Sequence, residues 1–105
     1  MGKPNTKVYD RIIRDAERKL EAVRNEEFWP LTGSEKARLV SNGFRGGRRV
    51  MKGKSPAPAD RAIAAIFRGA EERYAAEIVQ AQKAREQVIG EAAAARVAKK
   101  SSGWW

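Results

Sequence analysis

DRAIAAIFRGAEERYAAEIVQAQKAREQVIGEAAAARVA, residues 60–98, decides the fold. Ile63, Ile66, Phe67, Ala70, Tyr74, Ile78, Ala81, Val88, Ile89 and Ala92 recur at steps of three and four. That is the apolar stripe of an amphipathic helix. Asp60 suits its N-cap, and Lys99 and Lys100 suit the negative end of its dipole. Gly69 and Gly90 each weaken the helix by about 1 kcal/mol relative to alanine without breaking it.

Upstream, the same spacing joins Val8, Ile12, Ile13, Ala16, Leu20 and Val23, which predicts a first helix over 7–27. Asn5 or Thr6 caps its start, and Asp10 with Arg14 forms an i,i+4 pair on a solvated face. Pro30 stops that helix, because the residue before a proline leaves the α region. Phe28, Trp29 and Leu31 are expected to plug the corner between helices. Thr32 and Glu35 have capping-box spacing, so a short second helix should begin near Gly33 or Ser34. Ala37, Leu39, Val40 and Phe44 are expected to face inward from it.

The expected architecture is all-α, one domain over 1–105, and elongated. A short middle helix and a basic Gly/Pro-rich hinge over 42–59 lead to the long helix, and a tail covers 99–105. At 1.5 Å per residue the third helix spans roughly 58 Å against roughly 31 Å for the first. About 25 Å of the long helix, in its second half, is then left without a partner. Val88 and Ile89 on that arm suggest a contact with a second copy of the chain in coiled-coil fashion; the other reading is a protruding or frayed arm.

The chain has no cysteine and no histidine. Disulfides, thiolate zinc sites, cysteine nucleophiles and histidine bases are excluded. Glu71 and Glu72 are neighbours on a helix and diverge by about 100°. Glu26 and Glu27 lack a catalytic partner, so no enzyme and no cofactor is expected. Nothing in the sequence reads as a membrane span or a secretory signal. Lys3-Pro4 after Gly2 is a poor acylation motif. The expected compartment is the cytoplasm.

Charge carries the functional signal. The net charge is +9, and residues 34–55 hold seven cations and one anion. Those cations are Lys36, Arg38, Arg45, Arg48, Arg49, Lys52 and Lys54. The positive charge favours an anionic partner: nucleic acid first, an acidic protein surface as the alternative, and an anionic membrane as the partner not expected. The stretch NGFRGGRRVMKGKSP, residues 42–56, is open to four readings. A phosphate-binding P-loop fails by one residue, because Gly47 stands six before Gly53 where the motif needs five. A helix-turn-helix would turn at Asn42-Gly43, but Gly46-Gly47 weaken its second helix. A flexible basic loop could meet phosphates with its N–H groups and arginines. Finally, it could be a solvated turn without a ligand.

The expected function is that of a small basic nucleic-acid-binding accessory protein. The alternative is a helical adaptor or phage structural component that uses the long helix and the terminal Trp104 and Trp105. These tryptophans could plug a partner's pocket, stack on a base, sit in a membrane interface or form a free tail. In size, charge and alanine/arginine usage the chain resembles small accessory proteins of phages and plasmids from GC-rich bacteria, a likeness of composition alone.

Overall fold

The computed structural model describes residues 5–102. They form three helices: α1 (Lys7–Arg24), α2 (Gly33–Met51) and α3 (Ala57–Ser102). Helix α3 is the spine. Helices α1 and α2 each pack on it and, among the described residues, not on each other. Both run antiparallel to α3. Asp10 meets Arg85 at 3.2 Å and Arg24 meets Glu71 at 3.1 Å. Further along, Glu35 meets Arg73 at 2.8 Å and Gly46 lies against Ala59. Helices α1 and α2 therefore follow one another along α3 as one interrupted rod. The result is an extended helical hairpin with Cα extents of 84 × 19 × 18 Å.

The helix ends show how the sequence sets these lengths. The side chain of Asn5 accepts from the Lys7 N–H at 3.3 Å, whereas Thr6 makes no side-chain cap bond. Helix α1 stops three residues before the expected end. Glu26 takes a left-handed conformation (φ 60°), Glu27 N–H donates to Ala22 and Glu26 N–H to Val23. This is a Schellman stop with glutamate in the place that favours glycine. Helix α2 ends the same way around Gly53 (φ 73°): Lys54 N–H donates to Arg49 and Gly53 N–H to Val50. Helix α3 begins at Ala57 rather than after Asp60. Pro58 fits the first turn, whose N–H groups have no intrahelical acceptor, and Ser55 Oγ accepts from the Ala57 N–H at 3.2 Å.

The core sits where α1 ends, α2 begins and α3 passes both. Leu20, Val23, Leu31, Phe67, Ala70 and Tyr74 are buried together, with Leu39, Ile63 and Ile78 at the margin. Burying each larger side chain contributes about 1.5–3 kcal/mol. Buried Ala16, Ala59 and Ala81 extend the seam in both directions. Tyr74 donates its hydroxyl to the Pro30 carbonyl, which ties the interhelical corner to the spine.

Two expectations about packing are corrected. At the corner only Leu31 is a plug. Phe28 and Trp29 are exposed, Phe28 stacking on Phe67 at 6.1 Å and Trp29 lying under the Arg18 guanidinium at 5.3 Å. On α2 only Leu39 of the expected inward set is partly buried; Ala37, Val40 and Phe44 point to solvent. The reason is common to both: α2 has one neighbouring helix, so the rod is two helices thick and no third layer covers its other faces. Asp10 pairs with Arg85 instead of Arg14, and on α1 itself Asp15 pairs with Lys19 at 2.9 Å and with Arg18 at 3.3 Å.

Beyond Ala92 every α3 side chain through Lys100 is exposed, so the long helix outruns its partners as expected. Val88 is half-buried and Ile89 exposed. Trp104 and Trp105 lie outside the described residues. Among the described residues, no helix is long and apolar enough to cross a membrane.

Candidate phosphate-binding face

The expected hinge over 42–59 is corrected in its first half. Residues 42–51 are the second half of α2, which runs unbroken for 19 residues. Asn42 makes no turn; its amide donates to the Arg38 carbonyl at 2.8 Å, one helical turn back. This continuity removes the helix-turn-helix reading. It also removes the P-loop, because Gly47 lies inside a helix and no strand precedes it among the described residues. The flexible-loop reading survives only for 52–56.

Of the four glycines in residues 42–56, Gly53 makes the stop of α2, and of the three inside the helix only one has an internal reason to be glycine. A Cβ on Gly46 would sit 3.2 Å from the Ala59 Cβ, so glycine there lets α2 lie close against α3. Gly43 and Gly47 face open space. Each costs the helix about 1 kcal/mol, which the start of α2 offsets. Thr32 and Glu35 form the full capping box (Thr32 N–H to Glu35 Oε1 2.8 Å, Glu35 N–H to Thr32 Oγ1 3.2 Å). Glu35 is 5 % exposed, and its carboxylate is also gripped by both terminal nitrogens of Arg73 at 2.8 and 3.0 Å. The Arg73 guanidinium, first, and then the Thr32 amide hold its carboxyl below the usual range. Arg73 is held correspondingly more firmly protonated by Glu35.

A continuous helix gives the cations a phase. At about 100° per residue, Arg45, Arg48, Arg49 and Lys52 fall on one side of α2. The Gly53 stop then turns Lys54 back toward them, and Arg49 Nε fixes that turn by donating to the Ser55 carbonyl at 2.8 Å. These five side chains and Ser41 line one open recess of about 360 Å³. Among the described residues none of the five is paired with a carboxylate. Two predicted residues are not brought in. Arg38 lines a different groove with Glu35 and Asn42, facing α3. Lys36 lies about 170° around the helix from the mean direction of Arg45, Arg48, Arg49 and Lys52. Ser41 was missed; its place one turn before Arg45 becomes a signal only once residues 41–45 are known to be helical.

The helix dipole opposes an anion here, since this is the C-terminal end of α2. It amounts to about half a negative charge, against five positive ones. The recess is therefore positive and has side-chain donors for an oxyanion. Among the described residues no group of three or more His, Cys, Asp or Glu side chains could hold a metal ion. The chain matches no protein-family model, no curated protein and no solved structure.

Proposed function

We propose that the protein binds nucleic acid by its phosphates, through the C-terminal half of α2 and the turn that follows. One observation carries this reading: five cations, none paired with a carboxylate of its own chain among the described residues, converge on one recess. Arginine brings a planar fork that can hold a phosphate by two hydrogen bonds, and Arg45, Arg48 and Arg49 supply three such forks. Lys52 and Lys54 add point charges. Backbone contacts of this kind position a protein without reading bases, so binding is expected to be indifferent to sequence.

Fluorescence anisotropy with random-sequence duplex DNA and RNA, titrated at several salt concentrations, tests the reading. Neutralising five phosphates predicts a slope of log affinity against log salt of about −4.5 on duplex DNA. Affinity that stays flat from about 50 to 200 mM salt would remove it. Tight binding to a polyglutamate peptide with none to nucleic acid would transfer the face to an acidic protein partner.

A further inference from the structure

Helix α2 has a third face, apolar, which meets the phosphate-binding face only at Arg48. Val40, Phe44 and Met51 are 57 %, 68 % and 87 % exposed and stand in one line. Between them lie Gly43 and Gly47, and Arg48 borders an apolar recess of about 550 Å³ that these residues form. A second apolar recess shares Val40 and Gly43 with it and continues over Phe28, Phe67 and Ile63, with Glu26 at its rim. A single apolar groove thus runs along α2, with an acid at one end and a base at the other.

We propose that this groove is covered by the α2 groove of a second copy of the chain, packed antiparallel across a two-fold axis near Gly43 and Phe44. The stripe is complementary to itself in that arrangement. Position numbers of facing residues sum to 87 or 88. Phe44 then faces Gly43, Val40 faces Gly47, and Met51 faces Ala37, so each large side chain meets a small one. An isologous contact requires this reciprocity, and interdigitation of large with small residues fills it. It also gives Gly43 and Gly47 the reason the single chain does not, because a Cβ on either would meet nothing within it.

Charge selects the same arrangement. Arg48 of one copy faces the level of Leu39 and Val40 in the other, where Glu26 lines the groove. The contact repeats across the axis. A parallel pairing would instead set the two basic recesses side by side. Antiparallel, the Lys52 positions stand roughly 25 Å apart along the helix axis.

Sedimentation velocity and light scattering on the full chain, with nucleic acid left out, test the dimer separately from phosphate binding. The expected particle has twice the 11.7 kDa mass of one chain. Gly47→Leu, which fills the place of the facing Val40, should give a monomer of unchanged helical circular dichroism. Glu26→Arg and Arg48→Glu should each weaken association by about tenfold, and the double exchange should restore it. A monomer at all concentrations, or a dimer indifferent to Gly47→Leu and to the charge exchange, would overturn the proposal. So would a monomer that binds anionic lipid vesicles and loses them on Phe44→Ser, which would give the stripe to a membrane surface.

Discussion

Glu35 is the side chain on which the placement of α2 depends, and its removal has a calculable consequence. Its carboxylate closes the capping box and holds Arg73, whose guanidinium lies 4.8 Å over the Tyr74 ring. In Glu35→Ala the Thr32 N–H loses its acceptor, a loss of about 1 kcal/mol. The ion pair adds to this. Breaking a fully buried pair costs about 3–5 kcal/mol, because the surviving charge stays buried. Here Arg73 keeps 41 % exposure and can rehydrate, which leaves about 1–2 kcal/mol for that part. The sum is about 2–3 kcal/mol, or a fall in Tm of about 10–20 °C for a chain of this size.

The pH dependence supplies the sharper test, with Glu35→Gln as the comparison. The folded carboxyl lies below its ordinary value of 4.5, chiefly through Arg73. A depressed pKa contributes stability that is fully present above the unfolded value and is lost as pH falls through the folded one. The stability gap between wild type and Glu35→Gln, from urea unfolding, should be constant near neutrality and shrink below pH 4.5. Asp15 is also depressed, by Lys19, and titrates in the same window, so the difference between the two proteins is the quantity to follow. A gap as wide in acid as at neutrality would refute the electrostatic account. So would additivity of Glu35→Ala with Arg73→Ala to within about 0.5 kcal/mol.

Other substitutions separate the roles of residues that look alike in sequence. Gly46→Leu should destabilise by about 1–3 kcal/mol in urea unfolding, because its side chain meets Ala59. Gly90→Ala, into open space on α3, should instead stabilise by up to about 1 kcal/mol. Tyr74→Phe leaves the buried Pro30 carbonyl without its donor and should cost about 1–2 kcal/mol by the same measurement. Arg45→Gln, Arg48→Gln and Lys52→Gln combined should flatten the anisotropy salt slope by about 2.7 while the circular dichroism spectrum stays the same.

Helices α1 and α3 were legible because packing and solvent each took one side of them, so the apolar period appears directly in the sequence. Their ends were less so. The stop of α1 rests on Glu26 in a conformation its residue type disfavours, and the start of α3 rests on prolines that suit a first turn as well as a linker. The cluster of cations was legible as charge density. Its membership was not, because Lys36 is set apart from the recess by rotation about a helix axis, and Arg38, nearly in phase with Arg45, by two helical turns along it. A loop has no such phase, and the glycines of residues 42–56 read as a loop.

Helix α2 was hard to read because its residues answer to three surroundings at once. The line facing α3 is Glu35, Leu39, Asn42, Gly46 and Arg49, with one aliphatic side chain among them. The apolar residues lie on another face, and Arg45, Arg48 and Lys52 on a third, which Arg49 borders. A search for one inward stripe therefore takes Val40 and Phe44 for core. The same division bears on binding. A flexible loop would lose backbone and side-chain freedom when it closed on phosphates, a loss of about 1–2 kcal/mol for each residue's backbone. On α2 the backbone part of that ordering is made in the free protein, fixed by the Glu35 cap at one end and the Gly53 stop at the other. More of the attraction of the arginines is then left for the ligand. The glycines that first suggested mobility thus serve a rigid element: Gly46 by close approach to α3, and Gly53 by its left-handed turn.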